Sequence, residues 1–231
     1  YWSPDDLVTY NGVLWELNPV EVRARPVPPL TSEPPIAAPE QQVITQSGID
    51  LPTLRTYLVQ NNLALAIIRN VTERDDFDFQ QPFNLNVPGG VQTENPNFPG
   101  TLYGVTHLQF FQGDQLRGYT GCCGDDPLAG RRIIAQYLHD PAAVRANAAP
   151  PPNAAVGQIK VAADGSVAAF VPARRALTWQ LTNAGGDGVV RERYWVTFQA
   201  GEIRTCPACH GLSDKDQAGN GAATNAPQAL L

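Results

Sequence analysis

The residues best suited to chemistry in this chain form one short segment, Cys206-Pro207-Ala208-Cys209-His210. Two thiols at this C-x-x-C spacing can each form a thioether with one vinyl group of a single porphyrin, and the histidine that follows can bind the iron. Because haem attachment requires accessible thiols, we expect the pair to lie outside a regular strand. The motif predicts one covalent haem c held by Cys206, Cys209 and His210, with His210 as the proximal iron ligand.

The same cysteine spacing also occurs in redox-active dithiols and in zinc ribbons, so both alternatives stay open. A zinc ribbon needs two further ligands at similar spacing, and the only other cysteines are the adjacent pair Cys122 and Cys123. A thioredoxin-like dithiol should begin a helix after a strand, whereas residues 212–218 are mostly polar. The sequence therefore favours haem over both.

Few side chains of this chain can provide the second iron ligand, because it has no methionine and only three histidines. Methionine or histidine usually completes the coordination of a c-type haem. His107 lies in a segment that alternates like a strand, and His139 follows Ile133–Leu138, an apolar stretch that we predict to be helical. We expect His139 or His107 as the distal ligand, with His139 slightly preferred. A five-coordinate iron, a ligand from a partner, and two ordinary half-buried histidines are the alternatives.

The adjacent cysteines Cys122 and Cys123 stand between glycines. Glycine permits the distorted backbone that a vicinal disulfide imposes, and an oxidising compartment would favour the bond. The alternative is a pair of reduced, buried thiols that pack as small hydrophobic groups. The sequence does not decide between the two.

The net charge of −6, with only two lysines in 231 residues, argues against nucleic-acid or anionic-membrane partners, which need clustered positive charge. The longest apolar stretch, Leu63 to Ile68, suits a protein core and is too short to cross a bilayer. We expect the chain to be a mature or trimmed part of a longer exported protein, because haem is attached to cysteines outside the cytoplasm. The predicted location is periplasmic or extracellular.

Proline content and periodicity divide the chain into three predicted segments. Residues 1–48 form a Pro-rich extended arm, residues 49–149 mix helices and strands, and residues 157–231 form a β-sandwich-like module that carries the haem motif. The predicted fold class is α+β, a small antiparallel β-sandwich with a few helices, long Pro-rich loops and the haem site at its C-terminal end.

Local signals place individual elements within these segments. Helices should begin at Asp50, with Pro52 in the first turn, and at Asp126, with Pro127 in the first turn. The polar stretch 69–100 should consist of loops with short strands. Alternation and turn residues predict strands and a tight turn at Tyr103–Phe111, Ile159–Val161, Asp164-Gly165 (turn), Val167–Phe170, Ala176–Leu181 and Val189–Phe198.

A series of motifs in residues 157–211 occurs in a recognisable order: Asp164-Gly165, Phe170-Val171-Pro172-Ala173, Gln180-Leu181, Arg193-Tyr194-Trp195, Gly201-Glu202 and the cysteine motif. This order resembles the middle domain of the hydrazine synthase alpha subunit and of exported bacterial proteins that share it. The resemblance implies a β-sandwich-like module with covalent haem on Cys206, Cys209 and His210.

The resemblance does not imply hydrazine synthesis. In that enzyme a tyrosine shortly after the haem motif binds the iron, and this chain has no tyrosine after His210. Ala200 also stands where the family usually has proline. The functional expectation is therefore a monohaem cytochrome c module for electron transfer, with redox proteins or subunits of a larger assembly as partners. The alternatives are a haem enzyme with an open distal face, acting on nitrogen compounds or peroxide, and an assembly subunit. The sequence leaves catalysis undecided and favours a carrier.

Several side chains are expected to surround this haem. Arginines bind carboxylates in a bidentate manner, so Arg131, Arg132, Arg174 and Arg175 are candidates for the haem propionates, although each can equally be a solvated surface residue. The aromatic residues of the second half can line the haem or simply pack in the core: Trp179, Tyr194, Trp195 and Phe198.

Overall fold

The structure is a computed structural model. It describes residues 2–3, 6–7, 9–13, 21, 23, 26, 35–75, 84–97, 100–116, 132–137, 158–209 and 215–231. The chain divides into two units, residues 1–33 and residues 34–231. In the first unit, the short strands β1 (Trp2–Ser3) and β2 (Asp6–Leu7) pair antiparallel. The three-segment division predicted from the sequence stays a prediction, and its linker falls outside the described residues.

Strand β3 (Leu63–Arg74) forms the centre of the second unit. Its residues are almost all buried, as expected for a continuous apolar run that is covered on both faces. It pairs antiparallel with β10 (Val167–Pro172) on one side and parallel with β13 (Ile203–Cys209) on the other. The predicted core role of Leu63 to Ile68 is confirmed, and the strand extends through Arg74 into the stretch 69–100, which was predicted to consist of loops with short strands.

A second sheet packs on the same hydrophobic core, and its strand order is β12-β11-β7-β8 with β9 also paired to β7. The five strands are β7 (His107–Leu116), β8 (Arg132–Tyr137), β9 (Gln158–Lys160), β11 (Leu177–Thr182) and β12 (Gly188–Arg191). Leu108, Phe110 and Leu177 contribute its core side chains. Two sheets over one core, with two helices, confirm the predicted α+β class.

A third, small sheet has the order β5-β4-β6. Its strands are β4 (Asn84–Asn86), β5 (Gln92–Thr93) and β6 (Leu102–Gly104). Strands β4 and β5 confirm the short strands predicted within 69–100. The single strand predicted over Tyr103–Phe111 is divided in two, because β6 ends at Gly104 and β7 begins at His107.

Two helices precede β3. Helix α2 (Leu51–Gln60) begins as predicted, because the Asp50 side chain accepts a hydrogen bond from the Thr53 backbone N–H at 3.0 Å and Pro52 lies in the first turn. Helix α1 (Ala38–Gln46) was not predicted, since its surroundings are rich in proline. Proline near the first turn of a helix loses no hydrogen bond. Within the described ranges, no helix is long and apolar enough to cross a membrane.

Two sequence predictions in this unit are wrong. The stretch Ile133–Leu138 was expected to be helical, but Arg132–Tyr137 is strand β8, paired antiparallel with β7. Adjacent β-branched isoleucines favour a strand, and short apolar runs do not distinguish helix from strand by period. The strand predicted over Val189–Phe198 ends at Arg191. The helix predicted at Asp126 lies outside the described residues.

Turn Asp164-Gly165 ties β10 to the C-terminal segment. Gly165 has φ of +82°, the conformation that the predicted tight turn requires of a glycine. The Asp164 carboxylate accepts hydrogen bonds from the Ser166 N–H at 3.0 Å, the Asn225 side chain at 2.8 Å and the Gln228 N–H at 3.0 Å. One carboxylate therefore fixes both the turn and the segment that follows the cysteine motif.

Helix α1 is anchored to β3 by an ion pair. Glu40 is fully buried, and its two carboxylate oxygens accept hydrogen bonds from Arg69 Nε at 2.7 Å and Nη2 at 2.8 Å. Arg69 also donates to the Ala223 carbonyl at 2.9 Å. The hydrogen-bonded Glu40 carboxylate raises the pKa of Arg69. The pair thus joins α1, β3 and the C-terminal segment.

Substituting Glu40→Gln should lower the free energy of unfolding by about 3 kcal/mol, because it leaves the Arg69 charge buried without its counter-ion. Guanidinium unfolding measures the change. Glu202→Gln is the matched control, since Glu202 pairs with Arg204, whose side chain is 38% exposed. That control should cost less than about 1 kcal/mol. Equal losses in the two variants would contradict the structural role of the Glu40 pair.

Candidate functional site

Both cysteines of the motif lie in strand β13, which corrects the expectation that the thiols lie outside a regular strand. Cys206 pairs with Ile68 of β3, and the parallel register then shifts between Ala208 and Cys209. Across this shift the β3 partner moves from Asn70 to Arg74. Strand β13 lies at the edge of its sheet, so Pro207 is tolerated there. The cysteines are extended because β13 pairs with β3, which is distant in the sequence. The motif alone therefore does not predict this strand.

Both thiols line one cavity of about 280 Å³. Cys206 and Cys209 are free and half-buried, and they pack against the hydrophobic core. The rest of the wall is Ile68, Trp179, Glu192, Val196, Phe198, Arg204, Thr205, Pro207 and Ala208. Large apolar surfaces with a few polar groups are typical of sites that hold a ligand or cofactor. The fold therefore brings both cysteines to the wall of one cavity.

The environment of the thiols favours their neutral form. Burial raises the pKa of the Cys209 thiol to about 12, with further increases from Cys206 and Glu192; Arg74 opposes the change, and Glu73 adds the smallest increase. Burial also raises the pKa of Cys206, and Arg204 opposes the change. Both shifts favour the thiol over the thiolate.

The same electrostatics fits a redox-active dithiol less well. A redox-active dithiol is activated by a lowered thiol pKa. Cys206 and Cys209 are shifted in the opposite direction. In the described part of the chain, no group of three or more His, Cys, Asp or Glu side chains could hold a metal ion.

The raised pKa of Cys209 has a consequence for alkaline stability of the haem-free protein. The folded state retains the thiol proton to a pH near 12, whereas the unfolded thiol loses it near 9, so folding stability should fall as pH rises through this window. Guanidinium unfolding between these pH values measures the slope. The Cys209→Ala variant should show a shallower slope, with all other titrations unchanged. Identical slopes in the two proteins would contradict a buried thiol.

Of the three histidines predicted as iron ligands, the structure describes one, His107. His210 and His139 lie outside the described residues, as do Cys122 and Cys123. His107 is described, and its Nδ1 lies 2.9 Å from Thr106 Oγ1.

His107 is on the opposite face of its sheet from the cysteine cavity. In β7, side chains alternate between faces, and Phe110 shares a face with Trp179, its direct partner on β11 at a ring-centroid distance of 5.7 Å. Trp179 lines the cavity, whereas His107 pairs with Thr182 and points to the other side. The fold does not bring His107 to the two cysteines.

The predicted aromatic lining is found in part. Trp179 and Phe198 contribute to the cavity wall. Tyr194 and Trp195 are exposed by 71% and 40% and do not belong to the wall.

The arginines predicted to pair with propionates are not brought to the cavity in the described part of the chain. Arg174 and Arg175 are exposed in the turn after β10. Arg131 and the side chain of Arg132 lie outside the described residues.

Two charged residues of the cavity were not predicted, Arg204 and Glu192. The Arg204 guanidinium lies 4.6 Å from the centroid of the Phe198 ring, and its Nε donates to Glu202 Oε1 at 2.6 Å. Arg204 precedes Cys206 by two residues, so the period of a β-strand could have identified it as a same-face neighbour.

Glu192 is held in place by the backbone. Its Oε1 accepts hydrogen bonds from the N–H groups of Arg193 at 2.7 Å and Tyr194 at 2.9 Å. The backbone N–H of Glu192 donates to the Trp179 carbonyl at 2.8 Å. Its carboxylate raises the pKa of both thiols, so a fixed negative charge faces the cavity. The sequence patterns did not identify Glu192, because this residue lies outside the strand, directly after the end of β12.

Comparison with known proteins agrees with the resemblance found in the sequence. Residues 120–211 match the family described as the hydrazine synthase alpha subunit middle domain, which confirms that relation. Among solved structures, the chain is similar to Kuenenia stuttgartiensis hydrazine synthase with 15% identity and a TM-score of 0.45. The similarity covers 73% of this chain and 20% of that chain, so this chain spans about a fifth of its length. No curated protein matches the chain.

Proposed function

We propose that this chain binds one covalent haem c through Cys206 and Cys209, with His210 as proximal iron ligand, and transfers electrons. The observation that carries the proposal is the shared cavity: both cysteines of a C-x-x-C-H motif are free and belong to the wall of one cavity. The match of residues 120–211 to the hydrazine synthase alpha subunit middle domain supports it, since that range contains the entire motif.

Individual residues of the chain would hold the haem, exclude water from it and set its local charge. A bound haem supplies a one-electron iron couple. Cys206 and Cys209 would fix the porphyrin edge to β13, and Trp179 and Phe198 would exclude water from it. Glu192 and Arg204 would set the local charge, one of each sign, on which the reduction potential depends.

The setting of the protein follows from the same chemistry. Because haem is attached to cysteines outside the cytoplasm, we place the chain in the periplasm or outside the cell. Its relation to a synthase subunit favours work within a larger haem-containing enzyme assembly, with redox proteins or other subunits as partners. Hydrazine synthesis itself is not proposed, because no tyrosine follows His210.

One observation favours a second candidate, a haem enzyme with an open distal face. His107 lies on the far side of the sheet from the cavity, so within the histidine inventory only His139 is left as a distal ligand. Without His139 the iron would be five-coordinate and open to nitrogen compounds or peroxide.

Optical spectroscopy of the haem-loaded protein tests the proposal. A six-coordinate carrier should give a low-spin reduced-minus-oxidised spectrum and bind cyanide slowly in the ferric form. His139→Ala should then open the iron to rapid cyanide binding, whereas His107→Ala should leave the spectrum unchanged. Rapid cyanide binding by the unaltered protein would refute the carrier and support the enzyme. Absence of any haem spectrum after expression with a cytochrome c maturation system would refute both.

A further inference from the structure

A second cavity, of about 380 Å³, has no role in the proposed haem site. Three parts of the chain form its wall: the turn after β4, the link between β6 and β7, and the segment from the end of β9 towards the Asp164-Gly165 turn. Among the described residues, it shares none of its lining with the cysteine cavity. Cavities of this size are typical of sites that hold small molecules.

Most of the wall of this second cavity is apolar. Val87 and Val161 are buried, and with three further short, uncharged side chains they form the apolar surface: Pro88, Ala162 and Ala163. Apolar surface of this kind gains free energy when a hydrocarbon group replaces water. The cavity is therefore suited to a ligand with a short aliphatic part.

One side of the cavity carries a positive charge. Lys160 lines the cavity and is exposed. In the part of the chain that the structure describes, Lys160 has no ion pair or hydrogen bond, and no acidic side chain belongs to the wall. Thr106 adds a hydroxyl group, whose oxygen lies 2.9 Å from His107 Nδ1. In a chain of net charge −6, this cavity is complementary to an anionic group.

Hydrogen bonds between the three parts of the wall fix its shape. The Val91 N–H donates to the Ala163 carbonyl at 2.8 Å, and the Val161 N–H donates to the Thr106 carbonyl at 2.9 Å. Gly90 permits the first contact, because a Cβ atom there would lie 2.1 Å from the Ala163 carbonyl oxygen. A cavity whose walls are already fixed loses little conformational freedom when a ligand binds.

We propose that this cavity binds a short aliphatic carboxylate. The hydrocarbon part packs against Val87 and Val161, and the carboxylate accepts a hydrogen bond from the Lys160 ammonium group. A charged donor makes a stronger hydrogen bond than a neutral one, so Lys160 selects a carboxylate over an alcohol of the same length. The site is separate from the cysteine cavity, and the inference does not depend on haem binding.

NMR titration of the full chain tests the inference, with the sodium salts of acetate, propanoate and butanoate as probes at constant ionic strength. The methyl signals of Val87 and Val161 report occupation of the cavity. We expect saturable shifts with a Kd for butanoate in the millimolar range. Each added methylene should tighten binding by about fourfold, because it buries one more apolar group.

Lys160→Gln should weaken butanoate binding by about fivefold, because it removes the charge and keeps most of the side chain. The matched control is Lys215→Gln, which removes the only other lysine of the chain and should leave the affinity unchanged. Both lysines are exposed, so both variants should fold like the unaltered protein.

The other results of these titrations would overturn the inference. Equal affinities for acetate, propanoate and butanoate would show simple ion association with a surface lysine. Binding of 1-butanol as tight as that of butanoate would show that the charge has no role, and inorganic phosphate that displaces butanoate at equal concentration would show a general anion site. Shifts that do not saturate, or equal effects of Lys160→Gln and Lys215→Gln, would show that the cavity is not a binding site.

Discussion

The double variant Cys206→Ala, Cys209→Ala should contain no covalently bound haem when expressed with a cytochrome c maturation system. Each thioether needs one of these sulfurs, and both sulfurs line the same cavity. Haem staining of a denaturing gel measures the loss, because only covalent haem stays with the polypeptide. Each single variant should retain one thioether and a weaker signal.

The control for this experiment is the double variant Cys122→Ala, Cys123→Ala. It removes the same number of thiols at a place that the motif does not use, so covalent haem should be retained. Circular dichroism of both double variants establishes that each is folded. Retention of haem in the Cys206 and Cys209 double variant, or its loss only in the control, would contradict the assignment.

Substituting Gly165→Ala should lower the free energy of unfolding by about 2–5 kcal/mol, combining the cost of a left-handed backbone with that of overpacking. At Gly165 a Cβ atom would lie 2.2 Å from Asn70 Oδ1. That oxygen cannot move freely, since it accepts from the Thr72 N–H at 3.0 Å and the Thr72 hydroxyl at 2.8 Å. Chemical denaturation measures the loss.

Gly219→Ala provides the matched control. Gly219 has φ of +86°, close to that of Gly165, but a Cβ atom there would meet nothing within 4 Å. It should cost only the backbone term, about 1–2 kcal/mol. Similar losses in both variants would show that the contact with Asn70 is not important.

Local signals predicted the elements whose causes are local. The Asp50 cap and the Asp164-Gly165 turn each depend on neighbouring residues, and both are confirmed. The apolar run from Leu63 to Ile68 predicted a buried core segment, since such a run is covered on both faces.

The errors arise where distant strands decide the structure. Ile133–Tyr137 joins a strand because β7 is available to pair with it. The polar end of β3, from Arg69 to Arg74, was expected to belong to loops with short strands, but its pairing with β13 and the burial of its side chains make it part of one long strand. Helix α1 has proline in its first turn and buries Val43 and Ile44. Sequence alone does not contain these pairings.

Some residues of the candidate site were predicted from the sequence, and others were found only in the structure. The motif identified Cys206, Cys209 and His210 through their spacing, and Trp179 and Phe198 were anticipated as aromatic lining. Glu192 and Arg204 were not, because the segment after β12 and strand β13 meet only in the folded chain. These residues would influence the reduction potential of the haem. The sequence motif therefore indicates the chemistry, and the folded structure indicates which residues would control it.

The most direct test of the central claim is the intact mass of the purified protein, measured under denaturing conditions after expression with a cytochrome c maturation system. We predict the mass of the polypeptide plus one haem, with fragments locating the addition to the peptide that contains Cys206 and Cys209. A polypeptide of unmodified mass, or one that carries zinc in its native state and no haem, would contradict the account.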